Sequence, residues 1–64
     1  MINKGDKIKT SSISGKNIPD NWRELIYIVT KKEYLGRGLI FYEFMDDNGN
    51  YYSAYGSKGM KKIK

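Results

Sequence analysis

Three stretches of the chain carry residues whose types and spacing bear on chemistry: Asp46-Asp47-Asn48-Gly49-Asn50, Gly36-Arg37-Gly38, and the run from Lys58 to Lys64. The first offers the oxygen ligands of a calcium loop. An EF-hand loop needs acidic or amide ligands at alternate positions before its central glycine, and a glutamate six residues beyond it. With Gly49 in the central place, Phe44 falls where the first aspartate belongs and Tyr55 where the glutamate belongs. The stretch reads as a hairpin turn with hydrated acids, and no metal site is expected. The second lacks the third glycine of a dinucleotide fingerprint, since position 41 is Phe, and no helix pattern follows it. It reads as a β-turn holding Arg37 at an exposed tip, where a guanidinium suits phosphate or an acidic partner. The third holds Lys58, Lys61, Lys62 and Lys64 within seven residues. Such lysines either neutralise phosphates or charge an edge strand against aggregation.

Catalysis finds little to work with. The chain has no His and no Cys, which removes the imidazole general base, thiol nucleophiles, disulfides and Cys/His zinc centres. Ser11, Ser12 and Ser53 have no nucleophile motif around them. Asp46 and Asp47 sit on a wet turn with no reason for a raised pKa. No catalytic residue and no cofactor are assigned, and the protein is expected not to be an enzyme.

The elements that must position these residues are strands. Gly5 to Thr10 reads as a turn and a short strand with Ile8 pointing inward between Lys7 and Lys9. Ser11 through Asn21 is a loop of Ser, Gly, Asn and Pro, with a helical turn at Pro19-Asp20-Asn21-Trp22 preset by the proline. Leu25 to Thr30 is the strongest strand signal, β-branched and aromatic, with an extension open through Lys31 to Tyr34. Leu39 to Met45, Tyr51 to Tyr55 and Met60 to Ile63 follow, separated by turns at 35–38, 46–50 and 56–59.

Register at the 46–50 turn follows from one-sided burial. A three-residue turn with Gly49 left-handed pairs Phe44 with Tyr52, Glu43 with Ser53 and Tyr42 with Ala54. Ile40, Tyr42, Phe44, Tyr52 and Ala54 then share one face, as a half-buried antiparallel sheet requires. Phe41, Met45, Tyr51 and Tyr55 fall on the outer face with Glu43 and Ser53. Rings outside the core form stacking platforms for bases or protein interfaces. The remaining possibility is that the first loop covers them through Ile13, Ile18 or Trp22.

Five short strands, a long first loop and tight later hairpins resemble the layout of a small five-stranded SH3-like barrel, expected over residues 1–64 as one all-β domain. An OB-like barrel is the alternative, although it wants more chain and an internal helix. The resemblance is to an architecture. The Ala-Leu-Tyr-Asp-Tyr motif of peptide-binding SH3 domains is missing from the first loop, and Leu39-Ile40 opens the third strand where those domains carry a tryptophan pair. Recognition of proline-rich peptides is not implied.

Twelve basic residues against seven acidic ones give a net charge of +5 and a pI near 9.5. Ten of the twelve are Lys, and Lys, Ile, Asn and Tyr are all frequent, a bias that AT-rich coding in a low-GC bacterium, phage or mobile element would produce. The longest apolar stretch, Leu25 to Val29, is too short to span a bilayer. No signal peptide or lipidation motif is apparent, so a cytoplasmic location without membrane attachment is expected. The function expected is a non-catalytic binding module for nucleic acid. Its candidate contacts are Arg37, Phe41, Tyr51, Tyr55, Lys58, Lys61, Lys62 and Lys64. The alternative is a protein-interaction module, either a phage or mobile-element factor that binds a host protein or a self-associating subunit.

Overall fold

A computed structural model describes residues 1–15 and 18–63. Five strands form one antiparallel sheet: β1 (Lys7–Thr10), β2 (Tyr27–Gly36), β3 (Leu39–Met45), β4 (Tyr51–Tyr55) and β5 (Met60–Ile63), in the order β4-β3-β2-β1-β5. The helical turn forms over Trp22–Glu24 as a single 3₁₀ turn, entered through Trp22 N–H donating to the Pro19 carbonyl at 3.1 Å. No helix among the described residues is long and apolar enough to cross a membrane.

Alternation decides what is buried. In Lys7-Ile8-Lys9-Thr10 the second and fourth side chains go inward, and Ile8 is completely buried. Tyr27 and Val29 of β2, Tyr42 and Phe44 of β3, and Tyr52 and Ala54 of β4 meet it in one cluster that Ile2 completes. The Tyr27 ring packs edge-on against Phe44 and Tyr52, with centroids 5.1 and 5.5 Å away. Edge-to-face contacts of this kind add to the area that large rings bury, which matters in a chain too short for a large core.

The sheet curls around that cluster. β4 and β5 lie at opposite ends of the sheet order, yet four residues, Gly56 to Gly59, join them. The loop after β1 crosses the open side, where Ser14 N–H donates to the Ser53 carbonyl at 2.8 Å. This single bridge is isolated. The sheet therefore stays open, and the closed barrel expected from the layout is not formed by a continuous ladder.

The β3–β4 register is the one that one-sided burial demands: Phe44 opposite Tyr52, Glu43 opposite Ser53 and Tyr42 opposite Ala54. Gly49 has φ +81°, the left-handed position that closes a three-residue hairpin loop. β2 carries a bulge that its period-two pattern does not predict. Register shifts between Val29 and Lys31, and the Thr30 hydroxyl donates to the Glu43 carbonyl at 3.1 Å. The extra residue moves Lys31 to the outer face opposite Glu43 and Lys32 to the inner face opposite Tyr42.

Candidate functional site

The outer face of the sheet is built by the ladders that bury the core. Residues paired across antiparallel strands project to the same side, so one row runs across all five strands: Ile63, Lys7, Ile28, Met45, Tyr51. Ile63, Ile28 and Met45 are half-buried, while Lys7 and Tyr51 are exposed. Lys7 and Tyr51 are three strands apart, about 14 Å at the usual interstrand spacing.

Beside that row, on the β1–β5 half, Lys9 stands directly opposite Lys61. Both are exposed, and neither takes part in the two ion pairs found among the described residues, Lys31–Glu33 at 3.4 Å and Lys62–Asp6 at 3.5 Å. Like charges directly opposite in an antiparallel pair repel. Lys7, Lys9 and Lys61 thus form an uncompensated positive group at one end of the face.

The other end is aromatic. Tyr51 and Tyr55 remain 63% and 62% exposed, and among the described residues of the first loop Ile13 packs against the core cluster. Phe41 is half-buried against Tyr55, with ring centroids 5.4 Å apart. Beside Phe41 and Tyr51 lies a pocket of about 230 Å³, bounded also by Glu43, Tyr52 and Ser53 and by the loop residues Ser14 and Gly15.

The expected contact residues therefore divide. Phe41, Tyr51, Tyr55 and Lys61 share the outer face. Lys62 pairs with Ile8 and so projects from the opposite face, where its ammonium meets Asp6. Lys58 is exposed in the turn before β5, which Met60 N–H closes onto the Ser57 carbonyl at 2.9 Å. Arg37 occupies the tip of the β2–β3 hairpin, in the left-handed region at φ +53°. Lys64 lies outside the described residues. Trp22, a candidate core plug, is half-buried beneath the Arg23 guanidinium, 4.3 Å from its ring, and lies outside the core cluster. Lys31 is held by Glu33, and Lys32 lies over the Tyr34 ring at 5.5 Å while donating to the Asn3 side chain at 3.2 Å.

Lys7, Lys9 and Glu43 complete this face. The two lysines were legible in the Lys7-Ile8-Lys9 alternation, and Glu43 in its register between Phe41 and Met45. None of the three carries a motif.

The 46–50 turn turns its chemistry inward. Asp46 is buried, and its carboxylate accepts from the Asn48 and Asn50 amides at 2.9 and 3.0 Å, the Asn50 side chain at 3.3 Å and the Tyr52 hydroxyl at 3.0 Å. Burial pushes this carboxyl upward, but the Asn50 amide, the Tyr52 hydroxyl and the other donors outweigh it and hold it below the usual carboxylate range. Burial, then the hydrogen bond to Asp46, raises the Tyr52 phenol. Tyr27 is pushed up to about 12 by burial and by the nearby Tyr52 and Asp46.

The outer face combines two chemistries within one curled sheet: exposed cations at the β1–β5 end, and a ring-lined pocket with one carboxylate at the β3–β4 end. Comparison with protein-family models, with curated proteins and with solved structures finds no match to this chain.

Proposed function

We propose that this protein is a non-catalytic module that binds single-stranded nucleic acid across the outer face of its sheet, and that the curled sheet is an SH3-like barrel. The fold reading is supported by β1 lying between β2 and β5, and by the first loop crossing to β4. The observation that carries the functional reading is the opposed, uncompensated pair Lys9 and Lys61, with Lys7 beside them in the row that ends at Tyr51. A phosphodiester backbone relieves the repulsion between the lysines, and each phosphate neutralised releases counterions. Tyr51 and Tyr55 supply stacking surface that tolerates any base.

The test is anisotropy of labelled single-stranded and duplex oligonucleotides at low and near-physiological salt. Three lysine contacts give a log-log salt slope of about −2 on single strands. Single strands bind more tightly than duplex of the same length, since only unpaired bases reach the rings. Absent or salt-insensitive binding rejects the reading.

A second reading, a protein-interaction module, is favoured by one separate feature. The β2–β3 hairpin tip exposes Tyr34 (68%), Leu35 and Leu39 around Arg37, an apolar patch at the other end of β2 from Lys7, Lys9 and Lys61. Sedimentation at high concentration tests its self-associating form: a dimer that Leu35→Asp dissolves supports that form, and a strictly monomeric chain removes it.

A further inference from the structure

The pocket between β3, β4 and the first loop carries a charge opposite to that of the surface around it. Glu43 lies on the outer face of β3 between Phe41 and Met45, and opposite Ser53, which itself lies between Tyr51 and Tyr55. Glu43 is half-buried, and its carboxylate takes part in no ion pair or side-chain hydrogen bond among the described residues, although Lys31 is its cross-strand partner. Lys31 is instead held by Glu33. An ionised carboxylate only accepts hydrogen bonds, so a ligand that pairs with it presents donors, and the rings beside it favour a flat apolar surface.

We propose that the pocket receives one base of the bound strand and that Glu43 selects guanine. This deepens the nucleic-acid reading and rests on it. The volume of about 230 Å³ has room for a single purine. Guanine alone among the bases displays two adjacent N–H donors, N1–H and N2–H, on its Watson–Crick edge, and these meet the two carboxylate oxygens as a guanidinium does. Adenine and cytosine place a ring-nitrogen lone pair beside their amino group, where it faces the second carboxylate oxygen. Thymine and uracil flank their one N–H with carbonyls. The edge that Glu43 reads is occupied in a duplex, which ties the selection to single strands.

The Phe41 and Tyr51 rings border the base. Lys7, Lys9 and Lys61 lie across the face from the pocket, so the phosphates run toward them and away from Glu43. One strand thereby satisfies both ends of the surface. A phosphate bound at the pocket itself would face the carboxylate.

The experiment uses thymidine nonamers carrying one central guanine, adenine, cytosine or thymine, bound to the wild-type chain and to Glu43→Gln. The expected result is a preference of about tenfold for the guanine nonamer over the thymine one. Glu43→Gln abolishes that preference: on this variant the guanine and all-thymine nonamers bind equally. An inosine nonamer, which keeps N1–H but lacks the second donor, loses most of the preference on the wild-type chain; an undiminished preference for it overturns the two-donor reading even if the variant fails to fold. Equal affinity for all four nonamers, or a guanine preference that survives Glu43→Gln, overturns the selection by Glu43 and leaves general nucleic-acid binding standing. Failure to bind any nonamer overturns both. A lysine- or arginine-bearing peptide that binds wild type but not Glu43→Gln, with no nonamer bound, assigns the pocket to a protein cation and likewise overturns the proposal.

Discussion

The hydroxyl of Tyr52 donates to the buried carboxylate of Asp46 at 3.0 Å, and through that bond the tip of the β3–β4 hairpin is anchored to the aromatic core. Tyr52 lies 5.5 Å from the Tyr27 ring at the centre of the cluster. Asp46 also holds the amides of Asn48 and Asn50. One side chain therefore ties the turn to the core, behind the register that places Glu43 and Tyr51 on the outer face. Tyr52→Phe removes a hydrogen bond to a charged group and costs about 2 kcal/mol, or roughly 8–16 °C in Tm for a domain of this size. A thermal melt followed by circular dichroism measures it.

Stability depends on pH from two directions. The Asp46 carboxyl is held below its usual value of 3.8 in the folded state, so the stability it contributes is present above that value and is lost as pH falls through the lower folded value. Tyr27 titrates at about 12 when folded and near 10 when unfolded. Its contribution is intact below pH 10 and declines as pH rises toward 12. Chemical denaturation across pH 2 to 12 is expected to show a plateau at neutral pH with losses at both ends, and Asp46→Asn flattens the acid limb.

Lys61→Glu places an acid opposite Lys9 and turns a repulsive cross-strand pair into an attractive one. Stability rises by roughly 0.5 kcal/mol, while oligonucleotide affinity falls several-fold and the salt slope becomes shallower. The two effects have opposite signs, so lost binding in this variant is not a folding defect. Lys62→Ala is the control: its ammonium is engaged with Asp6 on the other side of the sheet, and affinity changes by less than twofold.

Arg37→Asn tests the hairpin tip. Arg37 and Gly38 have φ of +53° and +77°, positive at both central positions as a type I′ turn requires. Asparagine tolerates this region better than arginine, so the variant gains up to about 1 kcal/mol in a denaturant titration. Unchanged oligonucleotide affinity in Arg37→Asn separates the tip from the lysine face.

Much of the architecture was legible in the chain. The strands Leu39–Met45 and Tyr51–Tyr55 and the three-residue turn between them follow from alternation, because only one register keeps Glu43 and Ser53 away from Phe44 and Tyr52. The inward Ile8 between two lysines follows for the same reason. These are local effects of a period-two pattern beside one core.

Tertiary structure alone decided the rest. Strict alternation from Tyr27 and Val29 would send Lys31 inward; the bulge at Thr30 reverses this, because the Thr30 hydroxyl finds the Glu43 carbonyl on the neighbouring strand. Four lysines near the end of the chain look equivalent as a run. Pairing with β1 separates them, since Lys61 falls opposite Lys9 and Lys62 opposite Ile8. The pocket brings Ser14 of the first loop to Glu43 of β3 and Tyr51 of β4, residues joined only when the sheet curls and the loop crosses its open side. Periodicity specifies which side of a strand is buried, whereas the neighbours on the other side are chosen by sheet order and curvature, which are properties of the whole chain.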